Sequence, residues 1–432
     1  MLKPGDLVEL TIQKPVVGGR MMARSSDGVV LVSGAIPGEQ VLARVERTTR
    51  DVAHAMTVQV IEASANRRPL ARDPACGGLS YAHIAYPAQV QLKREVIADA
   101  LWRIGRVQLA DPPSVTPSSE QAYRLRARFH VRGGRAGWFR EGTHVLCSAR
   151  GSGQIMDQAL DAVDRLVSRL PASVRDTVDT IELAENLPAT SRVLHLTPRR
   201  GARFGPGLAW REASGPDVTG ISWSRQRDDS VEALCGEPWV ADAIEAIVPG
   251  ATSSTGLEVR RHAPSFFQAN RYLLPALVDA VTRWTGDGLL VDLYAGVGLF
   301  ALAACVRGAA EVIAVEGDAV SARDLEENAR PFSPKLRVVH DPVERFFAGA
   351  QGLGPRSTLI VDPPRTGISR PAMQGIIAAN APRLVYVSCD VATFARDVRR
   401  LLDAGYALAH LEGFDLFPNT GHVEVVAALE RG

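Results

Sequence analysis

Three side chains in the last part of the sequence could together carry out covalent catalysis. Cys389 lies where an apolar strand opens into a loop, so its thiol can be accessible and ionised. Asp362 follows another apolar strand, and the two prolines after it fix the turn. Glu424 begins a further apolar strand, where a carboxylate is costly to bury. A packed thiol, a rigid turn and a paired carboxylate are the structural alternatives when each residue is considered alone.

This combination of groups suits methylation of a pyrimidine ring. Carbon 5 of uracil is a poor nucleophile, but a thiolate that adds to carbon 6 produces an enolate that is nucleophilic at carbon 5. That carbon can attack a sulfonium methyl group, after which a carboxylate removes the proton from carbon 5 and the thiolate leaves. The remaining cysteines are expected to be packed small side chains: Cys76, Cys147, Cys235 and Cys305.

A glycine loop upstream predicts a cofactor site. The strand over residues 289–294 runs into Tyr294, Gly296 and Gly298, and these glycines let the backbone approach a ligand at the start of a helix. Glu316 ends the next strand, where an acid can accept hydrogen bonds from a ribose diol. The loop is shorter than the dinucleotide fingerprint, which favours S-adenosylmethionine. NAD remains the competing ligand, and a turn without a ligand is the structural alternative.

The periodicity of the sequence indicates how these residues are positioned. Short strands over residues 5–62 predict a small β-barrel, and residues 90–106 have the spacing of an amphipathic helix. A mixed α/β segment follows. From about residue 271, strands alternate with helices, which predicts a doubly wound sheet with its sites at the carboxyl ends of the strands. We expect the last two strands to form an antiparallel hairpin, since no helix separates them.

Charge and composition limit the partners. The chain has 432 residues and a net charge of only +1, which argues against coating of nucleic acid by charge alone. However, residues 122–140 contain six arginines and no acid, and residues 199–211 add four more. Basic stretches with aromatic residues between them suit a phosphate backbone and unstacked bases. A solvated strand face is the alternative for either stretch.

The start of the chain and its cysteines bear on location. The first residues lack the charged and apolar regions of a signal peptide, and no apolar stretch is long enough to span a bilayer. Five scattered cysteines suit a reducing compartment better than a disulfide framework. We therefore expect a cytoplasmic protein with no membrane partner.

At these motifs the chain resembles the uridine-5 RNA methyltransferase family, which modifies tRNA or large-subunit ribosomal RNA. Six ordered motifs over about 160 residues are far more specific than any one of them. The matching motifs are Ser265-Phe266-Phe267-Gln268-Ala269-Asn270, the loop from Asp292 to Gly298, Glu316, Asp362-Pro363-Pro364-Arg365, Val387-Ser388-Cys389-Asp390 and His422-Val423-Glu424.

The resemblance implies a role for each site residue. Cys389 would be the nucleophile and Glu424 the general base, while Asp362 would contact the cofactor or the target uracil. S-adenosylmethionine would be the cofactor. Its pocket would be lined by Gln268, Tyr294, Gly296, Gly298, Glu316 and Asp362.

The resemblance also implies an α/β protein of three domains. An N-terminal β-barrel of TRAM or OB-like type would bind RNA over residues 1–62. A mixed α/β central RNA-binding domain would comprise residues 63–88 and 121–258. A Rossmann-like methyltransferase sheet would comprise residues 89–120 and 259–432. A TRAM domain is more typical of the ribosomal RNA members, which favours 23S rRNA over tRNA as the substrate, and we expect a monomer.

The chain departs from the family at a metal site. Many relatives carry four cysteines for an iron–sulfur cluster, three of them in a C-x5-C-x2-C run. Here Cys76 is the only cysteine of that run, because the spacing puts Leu70 and Leu79 at the other two positions. One thiolate cannot hold a cluster, and Cys147 does not restore the number. We therefore predict no cluster and no other metal, with Cys76 a packed thiol.

Three other functions are weighed against this one. Cytidine-5 RNA methyltransferases use the same groups, but they usually carry proline directly before the nucleophile, where this chain has Ser388. A non-catalytic RNA-binding or assembly protein would explain the missing cluster ligands, although the intact catalytic residues count against it. An NAD dehydrogenase is the least favoured, since the chain has no full pyrophosphate loop.

Overall fold

A computed structural model describes residues 2–49, 51–70, 73–205, 209–225, 230–251, 256–286, 288–348 and 353–431. The chain forms two compact units. The first unit comprises Met1–Ser118, Cys389–Arg400 and Leu411–Val425. The second comprises Ser119–Ser388, Leu401–His410 and Val426–Gly432.

The first unit begins with the predicted β-barrel. Along each strand, alternate apolar residues such as Leu10, Ile12, Val30 and Val32 point into a closed core, as a period of two requires. The strands close in the order β1-β2-β3-β5-β4. They are β1 (Leu7–Pro15), β2 (Met21–Ser25), β3 (Gly28–Ser33), β4 (Gln40–Thr48) and β5 (Val52–Glu62).

A long helix and a short strand follow the barrel. Helix α1 (Tyr86–Ala100) has a proline in its first turn, where the missing N–H costs nothing, and it continues into one π-helical turn over Leu101–Gly105. The helix agrees with the prediction for residues 90–106, although it begins earlier. Strand β6 (Val115–Thr116) then pairs with the strand that contains Gly413 and Phe414.

The second unit contains a seven-stranded sheet in the order β13-β12-β11-β10-β7-β8-β9. Helices pack on one face, where Phe129 and Val131 meet Val163 and Leu166 in a common core. The strands are β7 (Arg126–Arg132), β8 (Arg135–Phe139), β9 (Leu146–Cys147), β10 (Val178–Glu185), β11 (Arg192–Pro198), β12 (Gly220–Trp223) and β13 (Glu232–Gly236). The helices are α2 (Asp157–Arg169), α3 (Ala172–Arg175) and α4 (Trp210–Ser214).

A two-stranded hairpin joins this sheet to the next one. Its strands, β14 (Trp239–Ala243) and β15 (Glu258–His262), pair antiparallel, and helix α5 (Ile244–Ile247) lies in the connection. Strand β15 leads directly into the segment that contains Gln268.

The predicted doubly wound sheet forms the rest of the fold. Its strand order is β18-β17-β16-β19-β20-β22-β21-β6, and the pairs from β18 to β20 are parallel. The strands are β16 (Leu289–Leu293), β17 (Glu311–Glu316), β18 (Leu336–His340), β19 (Thr358–Val361), β20 (Arg383–Ser388), β21 (Tyr406–Phe414) and β22 (Glu424–Arg431). The helices are α6 (Leu274–Thr282), α7 (Leu299–Val306), α8 (Ala319–Ala329), α9 (Val343–Ala348), α10 (Arg370–Ala379) and α11 (Val391–Asp403).

This architecture confirms the predicted fold class. The barrel, the mixed α/β sheet and the Rossmann-like sheet all form where the sequence periodicity places them. The last two strands are neighbours, with β22 between β20 and β21. Among the described residues, no helix combines the length and the hydropathy needed to cross a bilayer.

Candidate active site

The loop after β16 has an unusual backbone. Tyr294, Gly296 and Gly298 adopt φ angles of 62°, 57° and 95°, the left-handed region that non-glycine residues rarely occupy. At a φ of 95° any side chain at position 298 would be strained, and a Cβ there would lie 2.6 Å from Cδ1 of Leu325, which would have to move. The left-handed Tyr294 and the two glycines, which have no side chain, let a ligand approach the backbone closely at the start of α7, as a bound cofactor requires.

Glu316 joins this loop to the end of β17. Its Oε2 accepts a hydrogen bond from the Gly296 N–H at 2.7 Å, and its Oε1 accepts one from the Asp318 N–H at 2.6 Å. Burial raises the pKa of Glu316, and these two backbone bonds oppose that rise. The structure thus brings together the loop and the acid that the sequence pairs. A carboxylate has about four acceptor sites, so Glu316 can still accept hydroxyl groups.

Asp292 adds a second carboxyl beneath the loop. It is completely buried, and its Oδ2 accepts a hydrogen bond from the Ala301 N–H at 3.0 Å. Its Oδ1 is buried with no hydrogen-bond partner. Burial raises its pKa well above the usual range, and the charges of Asp362 and Glu316 raise it further. Three carboxyl groups at one sheet edge make a site that favours a cationic ligand.

Asp362 and Gln268 meet at the same edge of the sheet. Gln268 Nε2 lies 3.5 Å from Oδ2 of Asp362, a long hydrogen bond. The rigid turn after Asp362 is closed by a bond from the Gly367 N–H to the Pro364 carbonyl at 2.8 Å. Burial raises the pKa of Asp362 to about 7, while the Gln268 amide lowers it. Two residues that lie far apart in the sequence therefore share one site.

Helix α8 holds the segment that carries Gln268. Asp324 is completely buried on this helix and accepts hydrogen bonds from the backbone N–H of His262, at 2.8 Å, and from the Ser265 hydroxyl, at 2.6 Å. Its other oxygen lies 2.8 Å from Nδ1 of His262. These bonds fix the turn after β15, three residues before Gln268.

One helical turn later, Asn328 ties the same helix to the cofactor loop. Its amide nitrogen donates to the Val297 carbonyl at 3.0 Å and to the Arg260 carbonyl at 2.9 Å, and its oxygen accepts from the Arg260 N–H at 3.0 Å. Sequence reasoning missed both Asp324 and Asn328. The available signal was a pair of polar residues, four apart, among the buried residues of α8.

Cys389 lies directly before the first turn of α11. Its sulfur is not part of a disulfide and the residue is partly exposed, as predicted for the end of β20. Asp390 is the N-cap of this helix. Its Oδ1 accepts hydrogen bonds from the backbone N–H of Thr393 at 2.9 Å and from the Thr393 hydroxyl at 3.1 Å. The N-terminal end of a helix stabilises a neighbouring thiolate, which favours nucleophilic attack.

Glu424 is the first residue of β22 and is almost completely buried. Val423 and Val425, on either side of it, are buried as well. In the strand order, β22 lies next to β20, the strand that ends at Ser388. In the strand order, Glu424 therefore begins the strand next to the one that ends directly before Cys389.

The other four cysteines agree with the prediction of packed thiols only in part. Cys305 is buried and free, but Cys235 is partly exposed, and Cys76 and Cys147 are each engaged in a disulfide. The predictions that Cys76 and Cys147 are packed thiols and that the cysteines form no disulfide are therefore wrong, because the number and spacing of cysteines alone do not reveal a disulfide. Leu70 and Leu79 supply no ligand for a cluster. Among the described residues, no group of three or more histidine, cysteine or acidic side chains is arranged to hold a metal.

We predict that Asp362→Asn gains thermal stability relative to the natural protein as the pH rises from about 4 to about 7. In this range the folded protein, with a carboxyl pKa of about 7, keeps a proton that the unfolded chain has released. The natural protein therefore loses stability with rising pH, and the loss is complete above the folded pKa. Melting temperatures from pH 4 to 8 test this, with the exposed Asp51→Asn as control. A difference that does not change with pH would contradict the assignment.

We expect Asn328→Ala to reduce the free energy of unfolding by about 1–3 kcal/mol, since it leaves the Arg260 peptide and the Val297 carbonyl without partners. It should also weaken cofactor binding, because Val297 lies inside the glycine loop. Chemical denaturation and calorimetry with S-adenosylhomocysteine measure the two effects. Glu326→Ala, on the exposed side of the same helix, is the control and should change neither.

Comparison with known proteins shows which family the sequence resembles. The sequence pattern of the family described as tRNA (Uracil-5-)-methyltransferase matches residues 355–432. The 23S rRNA (uracil(1939)-C(5))-methyltransferase RlmD of Halomonas elongata is 32% identical, over 98% of this chain and 89% of its own. The protein of the same name from Pseudomonas entomophila is 30% identical, over 99% of this chain and 94% of its own.

A solved structure has the same fold. It is the Pyrococcus abyssi tRNA (uracil-54, C5)-methyltransferase in complex with S-adenosyl-L-homocysteine, which matches with a TM-score of 0.74 at 22% identity. The match covers 97% of this chain and 99% of that one. Together with the relatives that span nearly the whole sequence, it leads to one conclusion: this chain belongs to the RNA (uracil-5-)-methyltransferase family, and it is an RNA methyltransferase.

Proposed function

We propose that the protein methylates carbon 5 of a uridine in RNA through a covalent bond between Cys389 and carbon 6 of the base. The observation that carries this proposal is the position of Cys389, a partly exposed cysteine directly before the first turn of α11. Glu424, buried at the start of β22, supplies the second group that the chemistry needs. The relatives named as 23S rRNA uracil-5 methyltransferases support uracil as the base.

In this mechanism the Cys389 thiolate adds to carbon 6, and the electrons of the carbon 5–carbon 6 double bond make carbon 5 nucleophilic. Bound S-adenosylmethionine supplies the electrophilic methyl group. Glu424 then takes the proton from carbon 5. The electron pair of that C–H bond re-forms the double bond, and the bond from carbon 6 to sulfur breaks, which restores the thiolate.

The cofactor would occupy the loop after β16. Gly296 and Gly298 would let it approach the backbone, Tyr294 would cover it, and Glu316 would accept its ribose hydroxyls. The buried Asp292 and the neighbouring Asp362 favour a ligand that carries a sulfonium and an ammonium charge. Gln268, bonded to Asp362, would complete the pocket and orient that carboxyl toward the cofactor or the uracil.

RNA would bind to the open face of the seven-stranded sheet. On β7, residues alternate between the helix-covered core and the opposite face, which carries Arg128, His130 and Arg132. The Arg128 side chain is 63% exposed. Phe139 stacks on His130 with ring centroids 3.9 Å apart, beside the Arg132 guanidinium. Cations with a stacked ring pair suit phosphates and unstacked bases.

The six arginines of residues 122–140 do not all serve this face. Arg124 turns inward, and its Nη1 donates to the Gln154 side chain at 2.8 Å. Arg126 lies over the ring of Phe266, 5.6 Å from its centroid. Arg128 and Arg132 are also paired with acids, Glu182 at 2.7 Å and Asp179 at 2.9 Å, so RNA phosphates would compete with these carboxylates for the two guanidinium groups.

The remaining assignments follow from the family and from sequence. We propose 23S rRNA as the substrate, with tRNA as the second candidate, and a cytoplasmic monomer without an iron–sulfur cluster. The barrel of residues 1–62 would be a TRAM domain that binds RNA. The central domain would comprise residues 63–88 and 121–258, and the methyltransferase domain residues 89–120 and 259–432. Nucleoside analysis of RNA from a deletion strain would identify the modified base as 5-methyluridine or 5-methylcytidine.

The covalent step is tested with RNA that contains 5-fluorouridine. Fluorine at carbon 5 cannot leave as a proton does, so the methylated adduct should persist on a denaturing gel. We expect this adduct with the natural protein and none with Cys389→Ala. Cys235→Ala, which removes another partly exposed cysteine that is not part of a disulfide, is the matched control and should keep the adduct. An undiminished adduct in Cys389→Ala, or none in the natural protein, would refute the proposed role.

The RNA-binding face predicts a salt-dependent loss of affinity. The double variant Arg128→Ala and Arg132→Ala should lower the slope of log affinity against log salt by roughly 0.7 for each phosphate that the protein no longer neutralises. Fluorescence anisotropy with unmodified 23S rRNA fragments measures this slope. Arg169→Ala, on helix α2 at the opposite side of the sheet, removes an equivalent exposed charge and should leave the slope unchanged. Equal effects of both changes would argue against this face.

A further inference from the structure

The loop between β21 and β22, residues 415–423, leads directly to Glu424. Connecting loops usually run over the surface of a protein. In this loop, however, Asp415, Leu416, Asn419 and Val423 are all buried, each with at most 2% of its surface exposed. A buried loop needs partners for its polar groups, and here the partners come from residues 68–93 of the same compact unit.

Asn419 is the centre of this arrangement. Its side-chain oxygen accepts hydrogen bonds from Nη2 of Arg68 at 2.6 Å and from Nε2 of Gln89 at 3.0 Å. Its backbone N–H donates to Oε1 of Gln89 at 2.9 Å, and its carbonyl accepts from the Tyr81 N–H at 2.8 Å. Gln89 and Asn419 thus bond reciprocally, and both are buried. Asn419 also adopts a φ of 66°, a left-handed conformation that the surrounding bonds must maintain.

A second bond from α1 fixes the beginning of the loop. Lys93, one helical turn after Gln89, forms an ion pair with Asp415. Its Nζ also donates to the Phe417 carbonyl at 3.2 Å. The Lys93 side chain is 1% exposed and that of Asp415 is completely buried, so loss of either partner would strand a charge in the interior.

The end of the loop is fixed by close packing. A Cβ on Gly421 would lie 2.3 Å from Cα of Gly19, in the turn between β1 and β2 of the barrel. The loop is therefore held at Asp415, Asn419 and Gly421, all within the nine residues before Glu424.

We propose that Gln89 and Lys93 are positioning residues that hold Glu424 where it can remove the proton from carbon 5. The proposal rests on the proposed function of Glu424 as the general base. A base must lie within about 2.6–3.2 Å of the group that releases the proton, and a displacement of about 1 Å can slow a reaction about a hundredfold. The α1 contacts restrain the backbone that precedes Glu424, so they determine whether the carboxylate reaches that distance.

The timing of proton removal gives this role a signature. Addition of the thiolate and transfer of the methyl group precede the step that needs Glu424. A displaced base therefore leaves Cys389 bonded to carbon 6 of an already methylated uracil. A residue with a merely structural role would instead reduce the amount of folded enzyme and slow every step alike, without building up this adduct.

The test uses the full-length protein, S-adenosylmethionine and an unmodified 23S rRNA transcript. Gln89→Met removes both bonds to Asn419, together with the Nε2 bonds to the Tyr81 and Ile84 carbonyls, while keeping a long helix-forming side chain. We expect its turnover to fall about tenfold or more, its affinity for S-adenosylhomocysteine to stay within about twofold, and a methylated protein–RNA adduct to accumulate. Denaturing gels and mass spectrometry of the trapped nucleotide measure the adduct. Glu424→Gln provides the reference for complete loss of the base.

Two further variants keep the test decisive. Gln91→Met makes the same substitution at an exposed position of α1 and should behave like the natural protein. Asn419→Gly keeps the left-handed backbone but removes the acceptor for Arg68 and Gln89, and it should accumulate adduct even if Gln89→Met folds poorly. Normal turnover without adduct in Gln89→Met and Asn419→Gly would overturn the inference, as would a loss of turnover that only follows the folded fraction.

Failure of the underlying mechanism gives a different result. If the natural protein forms no adduct with 5-fluorouridine RNA, the covalent mechanism fails and the positioning role falls with it. If the natural protein forms the adduct with 5-fluorouridine RNA and Glu424→Gln accumulates the methylated adduct, the mechanism stands. If Gln89→Met and Asn419→Gly then turn over normally, the positioning role alone is wrong.

Discussion

The cost of burying carboxyl groups governs the catalytic half of this protein. Asp292, Glu316 and Asp362 lie at the carboxyl ends of parallel strands, and burial raises the pKa of each. The protein offsets the cost only partly. Glu316 has two backbone N–H partners, whereas Asp292 keeps one oxygen without a hydrogen bond. A cationic cofactor would supply the missing stabilisation. The carboxyl charges that destabilise the protein without its cofactor would therefore favour cofactor binding.

The cofactor loop and the loop before Glu424 are each held by a neighbouring helix. Helix α8 holds the cofactor loop and the Gln268 segment through Asp324 and Asn328, and α1 holds the loop before Glu424 through Gln89 and Lys93. In each helix the two residues are one turn apart on a buried face, so they point the same way and reach two points of a neighbouring segment. Buried polar pairs of this kind add little net stability, but they specify one position for what they hold.

The sequence predicted the residues at strand ends well, because the apolar pattern of a strand is enough to show where that strand stops. A strand read from alternating or continuous apolar residues ends at a definable point, which located Cys389, Glu316 and Asp362. The sequence pattern could not distinguish Arg124, which turns inward to Gln154, from Arg128, which faces solvent, because both residues fit the same alternating strand. Nor did it reveal Gln89 as functional. A polar residue on a helix gains that meaning only from its distant partner.

The separation of Gln89 and Asn419 along the sequence determines when their hydrogen bonds can form. Gln89 and Asn419 are separated by 330 positions, so their bond forms only after nearly the whole chain has been made. Glycine at position 419 would adopt the left-handed backbone without strain, yet the chain has asparagine, which alone of the two can accept bonds from Arg68 and Gln89. The strain of Asn419 is therefore tolerated for its side chain. In the proposed mechanism, the base becomes competent only when the first hundred residues and the last loop have docked.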